Sequence, residues 1–452
     1  MPIVIDDKLM QRLLASIAGD SLVMLCGAGL SMADPSCISS ASHIAQSCAK
    51  AYRMRTGFDL PEGLADNIEL MAEYFFGREE LENVLFKQLI DWSEFIRKTP
   101  NTGHVAIADF LAARVCSLVL STNLDTMIEK AAEKIGEPDF VPLVRETDLN
   151  QKQNHAPLLK IHGCATRSRN ESLWCKNQLE RDPLKTRIPA LVRWMRGYIP
   201  NRDLLIVGFW TDWLYLNKVL EDAIASTEPR SVILVDPDPD EKLEAKSPTL
   251  WKWAKERTNF IHIRSSGDTF LEELRWRVSY HHIWQAWQKG REIFTSVLGV
   301  EAPSDPVAIL EQLANDDLYY LRRDLCGVPS NAVVRDNEAN ESQALIGALQ
   351  LALGSVGPLN SHQFSWEGER LRLLNTPNRL ISAVKKLFSA EPPDPSPPNR
   401  TICVGAIDDG GVPGDIIGRG EPQAIIRNTL APSWETHERL LTEVRTGYNN
   451  ES

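Results

Sequence analysis

At 452 residues the chain is about three times the usual domain length of ~150 residues, so two or three domains are expected and core size is not limiting. Its 43% hydrophobic and 24% charged residues are those of an ordinary globular protein, which argues against wholesale disorder and against a fibre. The 49 Lys+Arg and 61 Asp+Glu give a formal net charge of -12, acidic on both sides of residue 305, so no direct nucleic-acid partner is expected from bulk electrostatics. Eight cysteines are too sparse for a disulfide scaffold, and no two stand at C-x-x-C spacing, which argues against a zinc ribbon. The N-terminus MPIVIDDKLM lacks the basic stretch of a signal peptide, and no apolar run approaches the ~20 residues that span a bilayer. A cytoplasmic protein with reduced thiols and no membrane partner is expected.

In chain order, LVMLCGAGL (Leu22–Leu30) reads as a strand ending in a glycine turn, with a polar helical stretch rich in Ala and Ser behind it. Further short apolar runs each end in a polar cluster: Val115–Asn123, Pro157–Gly163, Asp203–Phe209 and Ser231–Asp238. Between them lie helix-compatible stretches such as Asp66–Trp92 and Pro189–Ile199. Strands alternating with helices predict a doubly wound parallel α/β sheet with ligands outside the carboxyl ends of the strands, where the polar clusters fall.

The sheet pattern fades after Phe260–Ile263 and a helix over Thr269–Val278, and a Trp-containing helical stretch over Ile283–Leu298 leads into EAPSDP (Glu301–Pro306). The expected division is therefore a domain over 1–285, a helical linker over 286–305 and a smaller α+β region over 306–452. That last region holds expected helices at Val307–Leu325, Glu341–Leu353, Arg379–Phe388 and Thr436–Arg445, strands at Phe364–Trp366 and Thr401–Ile407, and a Pro-rich connector, Glu391–Asn399. There is no internal repeat.

Glycines at Gly27 and Gly29 let a backbone approach a pyrophosphate closely, and a helix N-terminus behind them presents free N–H groups, although any strand-to-helix turn uses glycines for its own sake. Ser31 stands where its hydroxyl meets a phosphate or caps a helix. Asn123 and Asp125, after the second strand, read either as ligand-edge side chains or as an Asx turn capping a helix over Thr126–Lys134. His162, at a strand terminus before Gly163, is well placed for a general base. Asp236, at the end of the last apolar strand, reads from its position as a turn-forming Asp before Pro237.

Taken in order, Gly27-Ala28-Gly29-Leu30-Ser31, Thr122-Asn123-Leu124-Asp125, Ile161-His162-Gly163 and Gly208-Phe209-Trp210-Thr211-Asp212 resemble the sirtuin superfamily. They resemble most its bacterial sirtuin-like (Sir2-type) branch of anti-phage defence effectors, over about residues 15–280. The resemblance implies a Rossmann-like NAD domain with NAD as substrate. It implies that Gly27, Ala28, Gly29 and Ser31 cradle the pyrophosphate, and that Thr122 also binds the cofactor. Asn123 and Asp125 would hold the nicotinamide ribose and carboxamide, and His162 would activate a hydroxyl or water. Gly208 and Thr211 would line the adenosine side, Asp236 would accept hydrogen bonds from the adenosine ribose hydroxyls, and Asp212 matches the acid that follows the glycine strand in that branch. His104 sits where the branch often has a histidine before a helix, and a structural role is expected of it.

Two departures bear on the reaction. Deacylating sirtuins carry a four-cysteine zinc ribbon after the catalytic histidine, and here that stretch holds only Cys164 and Cys175, so no zinc is expected. The segment after GAGLS also lacks the Pro-Asp-Phe-Arg run of the deacylases. The resemblance, read with these departures, implies an NAD glycohydrolase acting in antiviral defence by abortive infection, oligomeric, and triggered by oligomerisation or by a co-encoded partner such as a HerA-type ATPase or a short Argonaute. The alternatives are an NAD-dependent deacylase or ADP-ribosyltransferase, and a non-catalytic NAD-binding scaffold. In the C-terminal region the Gly-rich Asp408–Asp415 loop reads as a turn rather than a second nucleotide site, because Asp408, Asp409 and Asp415 repel phosphate. Apolar helix faces over Gln343–Leu353 and Asn378–Phe388 serve assembly or a core.

Overall fold

The computed structural model describes residues 5–137, 140–211, 229–257, 259–302, 310, 313–327, 341–356, 362–388, 396–408 and 433–451. The expected acid Asp212 lies outside these residues, as do most of the Asp408–Asp415 loop and parts of the Glu301–Pro306 and Glu391–Asn399 connectors. The chain divides into two compact units, Met1–Leu274 and Arg275–Ser452.

The first unit is built on six parallel strands: β1 (Leu22–Cys26), β2 (Leu118–Ser121), β3 (Leu158–Lys160), β4 (Asp203–Val207), β5 (Ser231–Val235) and β6 (Phe260–Ile263), in spatial order β3-β2-β1-β4-β5-β6. Residues of β1, β4 and β5 are buried throughout. A parallel sheet covered by helices on both faces demands continuous apolar runs rather than alternation, and these strands have them. The strand order reverses between β1 and β4, which creates a crevice at their carboxyl ends. Register places Cys26 opposite both Ser121 and Val207, so the turns after β1, β2 and β4 leave the sheet at one level. At the opposite end, the buried Asp203 carboxylate takes hydrogen bonds from Ser16, Ser231 and Arg230, tying the amino ends of β4 and β5 to the first helix, Asp7–Ala18.

The expected helical stretch Asp66–Trp92 forms a helix at Ile68–Gly77 and a wider-turned segment at Leu81–Leu89. Thr269–Val278 and Ile283–Leu298 are parts of one helix, Gly267–Leu298, because nothing in Ser279–His282 breaks helical hydrogen bonding: Ser279 Oγ simply donates back to the Arg275 carbonyl.

The second unit holds a four-stranded mixed sheet in the order β10-β9-β8-β7, with β7 (Phe364–Trp366) and β8 (Glu369–Asn375) antiparallel and β9 (Arg400–Val404) and β10 (Ser433–Thr436) parallel to β8. Helices Asn315–Cys326, Glu341–Val356, Ile381–Phe388 and His437–Glu451 accompany it. β8 and β10 are not among the expected strands: the alternation in ERLRLLN is confined to Arg370–Leu373, and SWET is only four residues long. A buried two-pronged ion pair, Arg372 with Asp324, lies inside this unit.

Candidate active site at the strand-order reversal

The turns after β1 and β4 interlock through backbone. Gly27 N–H donates to Val207 O (3.2 Å) and Gly29 N–H to Gly208 O (2.8 Å). Gly208 has φ +60, and a Cβ there would stand 2.4 Å from Leu30 N; a Cβ on Gly29 would stand 2.9 Å from Gly208 O. The glycines are thus required by the approach of the two turns to each other, and the Gly29 N–H is spent on that contact. The helix behind Gly27 is a single turn, Ala28–Ser31, and the next helix begins only at Ala41. The expected polar helical stretch behind the glycines is thus split, and the one turn next to them carries little macrodipole. Ser31 closes that turn, whose N-cap is Gly27, so Ser31 is not a cap.

Ser31 is instead the hub of a buried network. Its Oγ lies 2.8 Å from Asp125 Oδ2, 3.0 Å from Asn123 Nδ2 and 3.0 Å from His104 Nε2. His104 is the third residue of the helix Thr102–Ala112, where it forms a capping box with Asn101, and its Nδ1 accepts the Asn101 N–H at 3.3 Å. The proton therefore sits on Nε2 and is donated to Ser31, which leaves the serine proton for Asp125. The other Asp125 oxygen accepts the Met127 N–H at 3.0 Å, at the start of the helix Met127–Lys134. Asp125 thus shapes the turn and also lines the cavity of the site. Asn123 Nδ2 also donates to Gly27 O at 3.2 Å, whereas Asn123 Oδ1 is buried with no hydrogen-bond partner among the described residues. An acceptor left bare in this way costs about 1–3 kcal/mol unless a ligand donor or water meets it.

His162 follows β3 in a turn fixed by Gly163 (φ +108), where a Cβ would lie 2.9 Å from Ser168 Oγ. The ring is hydrogen-bonded to the Thr122 backbone. Burial pushes its pKa down to about 4, and the nearby Arg187 guanidinium adds to the fall. His104 is likewise held at about 4, chiefly by burial. Both imidazoles are neutral near pH 7. Burial raises the Asp236 carboxyl above its ordinary value, and one of its oxygens accepts the Asp238 N–H at 2.9 Å.

These groups meet in one cavity of about 380 Å³. Of the expected site residues, Ala28, Gly29, Ser31, Thr122, Asn123, Asp125, His162, Gly208, Thr211 and Asp236 line it; Gly27 lies behind the lining against Gly208 and Phe209. Sequence reasoning missed its apolar wall of Ile44, Ile68, Phe95 and Trp174, and a basic rim residue, Lys246. Phe95 and Trp174 pack edge to face at 6.4 Å. Among the described residues no group of three or more His, Cys, Asp or Glu side chains could hold a metal ion, and no helix is long and apolar enough to cross a membrane.

Residues 117–261 match the family model of the SIR2-like domain. The matched segment runs from β2 into β6 and contains Asn123, Asp125, His162, Gly208 and Asp236. The sheet order defines a Rossmann-type doubly wound fold, and the part of it over residues 117–261 is similar to the SIR2-like domain. No curated protein matches the chain. Among solved structures, it is similar to a mutant Sir2 homologue in complex with ADP-ribose, at 14% identity over 60% of this chain and 95% of that one, TM-score 0.33. It is also similar to Sir2 with a p53 peptide and NAD+ (14% identity, 60% and 97% covered, TM-score 0.33) and to Sir2 bound to an acetylated peptide (13% identity, 60% and 97% covered, TM-score 0.32).

Proposed function

We propose that the protein is an NAD glycohydrolase, converting NAD and water to ADP-ribose, nicotinamide and a proton. The observation that carries this reading is the convergence, in one cavity, of a neutral histidine, an asparagine whose buried Oδ1 awaits a donor, and a carboxylate fixed by Ser31. A SIR2-like domain supports NAD-dependent chemistry as the general class.

Breaking the nicotinamide–ribose bond asks little of the protein. The leaving group departs from a positively charged precursor and needs no protonation, so the demands are to stabilise a cationic sugar and to position water. In this reading Asn123 Oδ1 accepts from a ribose hydroxyl or the water, which satisfies its bare lone pairs. His162 takes the proton, being unprotonated at neutral pH; such general-base help is worth about 10²–10⁴ in rate. Asp125 orients the nicotinamide end, and Asp236 accepts from the adenosine ribose. Ala28 and the turn around Ser31 line the phosphate side. Hydrolysis is preferred to acyl transfer because only Cys164 and Cys175 follow His162 where deacylases carry four cysteines.

We assign this role to residues 1–285 and an assembly or partner-binding role to 306–452. Uncontrolled NAD loss would kill the producing cell, so activity is proposed to await a co-encoded partner or oligomerisation during phage infection. The test is product analysis with the full chain, alone and with the proteins encoded beside it. Free nicotinamide and ADP-ribose in equal amounts, lost in Asn123→Ala and His162→Ala that still fold, are expected. Acyl-ADP-ribose or ADP-ribosylated protein as the main product, or wild-type turnover by either variant, would overturn the assignment.

A further inference from the structure

Lys160 ends β3 two residues before His162, in a run that is otherwise apolar (Leu158, Leu159, Ile161). Its side chain is 1% exposed. The ammonium donates to the backbone carbonyl of Asp125 and to Glu129 Oε1 at 2.5 Å, with Cys164 Sγ at 3.9 Å. Glu129 stands in the first turn of the helix Met127–Lys134, the helix that the Asp125 turn leads into. One side chain from the histidine strand thus grips both the peptide and the helix that carry the carboxylate.

A buried ion pair is a poor way to gain stability, since well-packed apolar residues of similar volume usually serve as well or better. A leucine would complete the Leu-Leu-x-Ile run and bury more cheaply. What leucine cannot do is donate to the Asp125 carbonyl, whose orientation sets where the carboxylate meets Ser31 and where Asn123 faces the cavity.

We propose that Lys160 is a positioning residue: paired with Glu129, it clamps the Asp125 peptide to the strand bearing His162, so that the Asn123–Asp125 turn and the histidine keep one fixed relative geometry. Its consequence for turnover rests on the NAD-hydrolase reading; the clamp itself does not.

The experiment compares wild type, the apolar replacement Lys160→Met/Glu129→Leu and the charge-keeping Lys160→Arg, all as full chain. Amide hydrogen exchange of peptides covering residues 122–127 is read against the melting temperature, then kcat and KM for NAD. In the double variant, exchange over 122–127 is expected to rise by about tenfold, roughly the worth of one lost charge-assisted hydrogen bond, while the melting temperature and exchange elsewhere hold. Where wild type hydrolyses NAD, kcat should fall by about 10²-fold, the order of loss that an ångström-scale misplacement causes, with KM nearly unchanged. Lys160→Arg should recover most of the protection. If the apolar pair does not fold, Lys160→Met/Glu129→Gln is judged by the same exchange criterion. Unchanged exchange over 122–127 in a folded double variant overturns the clamp whether or not wild type hydrolyses NAD. An inactive wild type with raised exchange in the variant supports the clamp and counts against the hydrolase reading alone.

Discussion

The hydroxyl of Ser31 sits 3.0 Å from Nε2 of His104, on the side chain that also holds Asp125 at 2.8 Å. Because His104 Nδ1 is committed to the Asn101 N–H, the imidazole can only donate to Ser31, and the hydroxyl can only donate to Asp125. Proton positions are set along the whole line by one backbone amide. Replacing His104 with Phe removes the donor and frees the Ser31 proton to turn away from Asp125. The expected loss is about 1–2 kcal/mol, the worth of a buried hydrogen bond, appearing as a roughly 5–30-fold fall in NAD turnover. His104→Gln, which keeps an N–H near the Nε2 position, should recover much of it. Equal activity of His104→Phe and wild type would show that the line does not reach the carboxylate.

Acid should weaken the first unit well above the range where carboxylates titrate. His104 and His162 have pKa values near 4 in the folded chain, lowered by burial, against an ordinary 6.5. Between these values the unfolded chain binds protons that the folded chain refuses, so unfolding free energy rises with pH. The contribution is fully present above pH 6.5 and is lost as pH falls from 6.5 towards 4, with a slope of at most about 1.4 kcal/mol per pH unit for each histidine. A melting temperature that falls across this window, and falls less steeply in His104→Gln, is the expected result. A flat profile down to pH 4.5 would mean that the rings are protonated without opening the fold.

The strands and the motif ends were legible because each is a local pattern: an apolar run long enough for a buried parallel strand, then glycine, asparagine or histidine at its carboxyl end. Those patterns alone assign Gly27, Asn123, His162 and Gly208 to one edge of a sheet. What those residues do to one another was not legible. Ser31 meets His104 and Asp125 across separations of 73 and 94 residues, and Lys160 meets Glu129 across 31. No periodicity records such contacts. The apolar wall was missed for a related reason, since Phe95 and Trp174 look in sequence like any other core aromatics. In the second unit, β10 is four residues long with none buried, so it carries almost no hydrophobic signal.

Gly208 should be among the least replaceable residues at the site's rim. With φ +60 it occupies the left-handed region, which costs an L residue roughly 1–2 kcal/mol, and its Cβ would also stand 2.4 Å from the Leu30 backbone nitrogen. Backbone cannot swing aside as a side-chain tip can. Gly208→Ala is expected to lose more than about 2 kcal/mol, because it forces the β1 and β4 turns apart, and to weaken NAD binding with it. Gly57→Ala is the control: its φ is +77, but nothing lies within 4 Å of a Cβ there, so only the conformational cost of about 1 kcal/mol should appear. Similar melting temperatures for the two variants would mean that the turns do not need their close approach.

Two helical glycines of the second unit set propensity against packing, and the magnitudes decide which prevails. In a helix interior Gly→Ala is normally favourable by up to about 1 kcal/mol. Gly347, in Glu341–Val356, faces Gly290 and Ala286 of the helix Gly267–Leu298: a Cβ on Gly347 would stand 2.2 Å from Ala286 O, and one on Gly290 would stand 2.4 Å from Ala348 N. Both obstacles are backbone, so relief requires the helices to separate. That would strip contacts from Trp287, which is 1% exposed and donates from its indole N–H to Gln350 Oε1 at 2.7 Å. Overpacking of this kind costs about 1–3 kcal/mol, more than propensity returns. Gly347→Ala and Gly290→Ala should therefore each lower the melting temperature of the second unit. Gly77→Ala, at the end of the helix Ile68–Gly77 with nothing within 4 Å of a Cβ, should hold or raise that of the first. If Gly347→Ala instead raises stability, the two helices do not cross at these glycines in solution.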